Sequence, residues 1–199
     1  ASTDMPVLLT SDEFLYAEER PQEPLESDGL RSISTQRILA KYKTVFFMPP
    51  GQGTALAAYR KMKLVPFSEA TPLRGVFPRL QDILGKSLEM SEGDGVQLFS
   101  LGGLQIQPLI CFESGFANLV RQGIDRGADI MVEVSNDGWF ASRNAEMNHL
   151  GMGIFRAVEV RRPLVRCSNT GCGAHVQASG KPVPGTLTPH DLSCATVAE

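Results

Sequence analysis

Leu104-Gln105-Ile106-Gln107-Pro108-Leu109-Ile110-Cys111-Phe112-Glu113-Ser114 is the stretch on which the fold turns. A largely apolar run ends on a cysteine. Beyond it, from Ser114 to Arg126, apolar Phe116, Leu119, Val120 and Ile124 recur at the helical period until Gly127. Cys111 therefore stands between a buried strand and a helix. Such a turn exposes a side chain at the carboxyl edge of a sheet and aims it at a helix N-terminus, whose unpaired N–H groups and dipole stabilise an anion. For a thiol this lowers the pKa and favours the reactive thiolate. The same N–H groups can hold a tetrahedral oxyanion once the thiolate has attacked a carbonyl. The position equally suits a small buried hydrophobe, since free cysteine is among the most buried residue types.

Working outward, Val96–Ser100 and Leu104–Cys111 frame Gly102-Gly103 as a hairpin, Ile130–Val134 reads as a strand, and Ala145–Arg161 as a longer helix stopped by Pro163. Leu164–Cys167, His175–Ala178 and Ala195–Val197 read as short strands. Toward the amino end, Thr44–Met48, a Pro-Pro-Gly-Gln-Gly turn at 49–53 and Ala55–Leu64 predict a second hairpin, and Pro6–Thr10 a first buried strand. Residues 11–36 are acidic and hold Pro21 and Pro24, so a loop is expected there. Residues 70–95 read as an excursion from the core, with Leu73, Val76, Phe77, Leu80 and Ile83 able to dip into lipid or pack on the body. Hairpins mixed with strand–helix–strand crossovers indicate an α/β fold with mixed sheets.

Composition bounds the function classes. With 199 residues, 42% apolar, the chain suffices for one domain with a real core. A net charge of -3 and only short, interrupted basic clusters give no case for nucleic acid. No apolar run approaches the roughly 20 residues that span a bilayer, and Ala1 opens no signal peptide, so the chain is expected to be soluble or cut from something longer. Four cysteines do not make a disulfide scaffold. The late set Cys167, Cys172, His175, His190 and Cys194 matches no familiar zinc spacing, so neither a metal nor a cofactor is expected.

Two further segments add chemistry. Tyr59-Arg60-Lys61-Met62-Lys63-Leu64-Val65-Pro66-Phe67-Ser68-Glu69 sets a lysine and a glutamate around Val-Pro-Phe, and Ser135-Asn136-Asp137-Gly138-Trp139-Phe140 follows a buried strand and holds the single tryptophan. With Cys111-Phe112-Glu113, these segments resemble the nitrilase superfamily of carbon–nitrogen hydrolases, and within it the apolipoprotein N-acyltransferase family. The resemblance continues through Arg156–Glu159, Arg161–Arg166 and Ser168–Gly171, and covers roughly residues 42–185. Phe112 stands where that family has tyrosine, and Ser68 where it has glycine.

The resemblance implies an α-β-β-α sandwich and a Glu-Lys-Cys triad. Cys111 would be the nucleophile, Lys61 (favoured over Lys63 by motif register) the triad lysine, and Glu69 and Glu113 supporting acids. Trp139, Phe140, Phe112 and Asn136 would contact substrate. The implied reaction runs through a thioester on Cys111, from a phospholipid donor to the N-terminal amine of a lipoprotein, at the periplasmic face of a bacterial inner membrane. The alternatives are a soluble, cytoplasmic amidase of the same superfamily, in which water resolves the thioester, and a non-catalytic nitrilase-like module. The triad's base glutamate has no counterpart. It belongs to a strand one helix upstream of the Pro6 strand, while Glu13, Glu18 and Glu19 follow that strand. The chain thus reads as residues 1–199 of a single domain lacking its first β-α unit.

Overall fold

The computed structural model describes residues 5–16, 38–70, 90–140 and 142–187. Among these, the strands form two sheets. The first, ordered β1-β2-β3, comprises Val7–Tyr16, Ile38–Met48 and Ala57–Arg60, all antiparallel. The second, ordered β4-β5-β6-β7-β8, comprises Phe99–Leu101, Leu104–Ile110, Ile130–Ser135, Leu164–Ser168 and Ala174–Val176. Its central strands β5, β6 and β7 run parallel, and β4 and β8 close the edges antiparallel. Helices α1 (Ala117–Asp125) and α2 (Arg143–Val160) are the crossovers that parallel neighbours require.

Alternation along the strands sorts the core into two layers. Val45, Phe47 and Tyr59 of the first sheet meet Phe99, Ile106 and Ile110 of the second, with the Phe47 and Phe99 rings stacked 5.3 Å apart. On the other face of the second sheet, Leu109, Met131, Leu164 and Val176 pack against Leu119, Val120, Leu150 and Ala157 of the helices. The result is sheet on sheet on helix, the expected sandwich without an outer helix layer on the first sheet among the described residues. Leu9, which faces away from the inter-sheet core, is 53% exposed there.

The predicted hairpins, crossover helices and most strands form where the pattern placed them. Several boundaries differ: β2 begins at Ile38 rather than Thr44, β3 is confined to Ala57–Arg60, β4 starts only at Phe99, and β1, expected to be buried, is half-buried or exposed along its length. The expected loop at residue 11 is a continuation of β1 to Tyr16, paired residue for residue with β2 as far as Leu15. Its polar side chains are matched across the ladder. Asp12 bonds Lys43 and lies 2.9 Å from Lys41, while Glu13 accepts from Thr44 at 2.8 Å and from Arg60 Nε at 2.9 Å. The excursion at 70–95 falls largely on residues 71–89, outside the described residues, as do Glu18, Glu19, His190, Cys194 and the predicted strand Ala195–Val197.

Candidate functional site

Register builds the site. Ile110 pairs with Val134 and Val134 with Cys167, so β5, β6 and β7 end at one edge. The residues that follow, Cys111, Ser135-Asn136 and Ser168-Asn169, therefore converge at the carboxyl ends of parallel strands, where open α/β sheets place ligands. A cavity of about 840 Å³ opens there. Its lining includes Cys111, Phe112, Lys61, Glu69, Asn136, Trp139 and Phe140. Of the eight residues singled out in the sequence, seven line this cavity and Glu113 does not.

Cys111 sits at φ 54, in the left-handed region that a side chain normally avoids. It opens a short 3-10 turn, Cys111–Gly115, and the α-helix begins only at Ala117. The expected pKa-lowering helix terminus is thus displaced from the thiol. Burial instead pushes the Cys111 thiol up, against the pull of the Ser135 hydroxyl, the Lys61 charge and the Phe112 N–H. Strain at a non-glycine residue persists only where its surroundings over-determine it. Those surroundings are the Glu113 carboxylate. Glu113 is fully buried and accepts from Tyr59 Oη at 2.9 Å, Met62 N at 2.7 Å, Lys63 N at 3.1 Å and Ile110 N at 2.8 Å. One side chain ties the end of β3 to the end of β5, the two segments carrying Lys61 and Cys111.

Lys61 is fully buried. Its Nζ donates to both Glu69 oxygens, at 2.7 and 2.6 Å. Glu69 also accepts from Val65 N at 2.8 Å, within a tight turn that Phe67 makes possible at φ 63. Glu69 is the one described glutamate that lines the cavity, and both of its oxygens are engaged by Lys61. Glu13 turns away, held by Arg60 and Thr44.

Sequence reading missed a buried ionic network behind the thiol. Arg166 donates to Asp137 Oδ2 at 2.5 Å and to Glu133, with all three side chains fully buried. Ser135 Oγ donates to Asp137 Oδ1 at 2.6 Å, and His149 Nδ1 lies 3.0 Å from the same oxygen. The same ring nitrogen lies 3.2 Å from Arg166 Nη2. Burial works to raise Asp137, but the His149 bond, the Arg166 charge and the Ser135 hydroxyl outweigh it and hold the carboxyl well below the usual range. The network anchors the loop that presents Trp139, 76% exposed, and Phe140, whose ring meets the His149 ring edge-on at 5.4 Å. A signal was available: Glu133 and Arg166 are charges inside otherwise apolar strands, where a lone charge is costly unless paired.

Comparison with known proteins bears on the family and the fold. The chain matches the carbon-nitrogen hydrolase family over residues 18–196. It is 38% identical over 125 residues to apolipoprotein N-acyltransferase 1 of Treponema pallidum, covering 62% of this chain and 23% of that one. It is 36% identical over 143 residues to the apolipoprotein N-acyltransferase of Bdellovibrio bacteriovorus, covering 70% and 26%. For the Thermotoga maritima protein of that name the figures are 33% over 164 residues, 78% and 32%. The chain thus spans between 23% and 32% of the length of these relatives. Among solved structures, a carbon-nitrogen hydrolase from Helicobacter pylori superposes with TM-score 0.60 at 13% identity, covering 76% of this chain and 54% of that one. A mutant of the Nesterenkonia amidase from the nitrilase superfamily gives 0.56 at 17%, covering 92% and 58%. Those likenesses speak for the fold, and the match over residues 18–196 speaks for the family: the chain belongs to the carbon-nitrogen hydrolases.

Proposed function

We propose that this chain is the catalytic domain of an acyltransferase of the apolipoprotein N-acyltransferase kind, working through a thioester on Cys111. The observation that carries the reading is the shared cavity. It sets a strained cysteine at a strand's carboxyl end beside a buried Lys61–Glu69 pair and an exposed aromatic wall of Trp139 and Phe140. In this reading the thiolate attacks the ester carbonyl of a phospholipid, and the lysophospholipid leaves. The N-terminal amine of a lipoprotein then takes the acyl group from sulfur. Lys61, held in place by Glu69, and the backbone N–H of Phe112 stabilise the oxyanion. Trp139, Phe140 and Phe112 receive the acyl chain, and Asn136 lines the polar side. Glu113 positions both arms of the site. The thiol needs a base, and with Glu13, Glu69 and Glu113 all engaged by other donors, the reading assigns it to a glutamate outside the described residues.

The membrane setting is part of the proposal. Among the described residues no helix is long and apolar enough to cross a bilayer. The test is incubation of the full-length protein with phospholipid, followed by mass spectrometry. An acyl adduct on Cys111, lost in Cys111→Ser and kept in Cys167→Ser, Cys172→Ser and Cys194→Ser, is the expected result. An adduct on another cysteine sinks the assignment, and turnover of small amides without any phospholipid-derived adduct identifies an amidase.

A further inference from the structure

A second cation reaches the same cavity and is not absorbed by the thioester chemistry. Lys61 N donates to the Lys43 carbonyl at 2.8 Å, which makes the two lysines cross-strand neighbours at the end of the first sheet. Both residues line the cavity, as does Thr10 of β1. Their charges are balanced differently. Lys61 is sealed from solvent and matched by Glu69 alone. Lys43 keeps 30% of its side chain exposed and shares Asp12 with Lys41, whose Nζ lies 2.9 Å from Asp12 Oδ2. Two ammonium groups share one carboxylate, and of the three Lys43 is the one that lines the cavity.

The rest of the lining gives the shape of what such a charge would hold. Val65, Met90, Ile110, Val134, Phe140 and Met152 make an apolar interior. A ligand that satisfies both parts has an alkyl chain and an anionic head. We propose that Lys43, on a cavity wall that also includes Thr10, is a subsite for the anionic head of an amphiphile, a phosphate or a carboxylate, whose chain lies in the apolar interior. Lysine suits this role as a compact point charge with three donors, needing no planar partner. Asp12 is the internal competitor. Burial would raise its carboxyl, but the bonds and charges of Lys43 and Lys41 hold it below the ordinary value, so it stays ionised and occupies the cations until a stronger anion arrives.

The inference rests on the acyl-transfer reading in one respect, that an alkyl chain occupies the cavity, and the experiment separates the two. Octyl phosphate, octanoate and octanol are titrated calorimetrically into the full-length protein. Octyl phosphate is expected to bind about tenfold more tightly than octanol, the return of one charge-assisted contact at a partly exposed site. The octanoate arm tells a carboxylate head from a phosphate. In Lys43→Gln the difference between octyl phosphate and octanol should collapse to within about twofold while octanol binding persists, which also shows the variant is folded. Asp12→Asn should move affinity the other way, tightening octyl phosphate by releasing both lysines. Equal binding of octyl phosphate and octanol to the parent protein overturns the subsite and leaves the acyl reading standing, as does a Lys43→Gln variant that keeps the preference. No binding of any of the three chains removes the acyl cavity itself, and the subsite with it.

Discussion

Cys111 carries opposing demands. Its reactivity needs a thiolate, yet burial favours the neutral thiol, and the Lys61 charge that would help is matched by Glu69 at 2.6 Å. Because the folded-state value is raised, the thiolate fraction at neutral pH is smaller than for a free cysteine. Alkylation of Cys111 by iodoacetamide, followed by mass spectrometry, should therefore rise only at a more alkaline pH than for a solvated thiol. A midpoint below the ordinary cysteine value would reverse this account of the site. The position of the nucleophile was legible because an apolar run ending on cysteine before a helical period is a local signal. Its environment was not, since φ, burial and the Ser135 contact arise from strands that meet only in the fold. Glu113 illustrates the same limit. It sits beside Cys111 in sequence but does not line the cavity, and three of its four donors, Tyr59, Met62 and Lys63, come from a segment about fifty residues away. Glu113→Gln offers one acceptor oxygen where two were used. It should cost about 1–3 kcal/mol in denaturant titration, the usual penalty for stranding buried donors.

At the scale of elements, β1 shows why polar strands escape pattern reading. Ser11-Asp12-Glu13 lacks an apolar face, and the groups that satisfy it, Lys41, Lys43, Thr44 and Arg60, lie about thirty or more residues away in the chain. The strand is held by cross-ladder ion pairs as much as by burial, so it should respond to acid. Asp12 and Glu13 both have lowered folded-state values; burial opposes the shift at Asp12, and the Arg60 bond leads it at Glu13. A depressed carboxyl contributes stability above its unfolded value and loses it as pH falls toward the folded one. Between about pH 5 and pH 2, hydrogen exchange should show β1–β2 opening before the parallel strands of the second sheet. Uniform opening of both sheets would assign the acid sensitivity elsewhere. The loop after β6 depends on charge in another way. Asp137→Ala removes one of the two buried carboxylates that balance Arg166 and leaves the Ser135 and His149 groups facing it without that acceptor, and should cost about 3–5 kcal/mol. Its Trp139 emission should change as well, which a loss of global stability alone would not produce in the folded state.

On the scale of the whole molecule, the fold class followed from the sequence because strand–helix alternation around Cys111 is local, and the second sheet with its two helices forms as that pattern requires. The first sheet was harder, being antiparallel, polar along β1 and capped on one face only among the described residues. Among the described residues β1 is an edge strand, and this edge and the outer face are where a further β-α unit would add, while the reading of the site requires one more glutamate near the thiol. Together these lead to a prediction about the chain as it stands. Residues 1–199 alone should form little acyl-thioester even with Cys111 and Lys61 in place. Proton transfer by a positioned base is worth about 10²–10⁴-fold, and members of such a unit do not act additively. A sheet edge left unpaired among the described residues also invites pairing between copies, so the isolated chain should self-associate in sedimentation. A longer chain that includes the upstream segment should restore both solubility and thioester formation at matched concentration. Equal activity in the two would mean that Glu69 leaves Lys61, or Glu113 its backbone clamp, to take the thiol proton. Substituting each glutamate by glutamine in the short chain would then identify which one does.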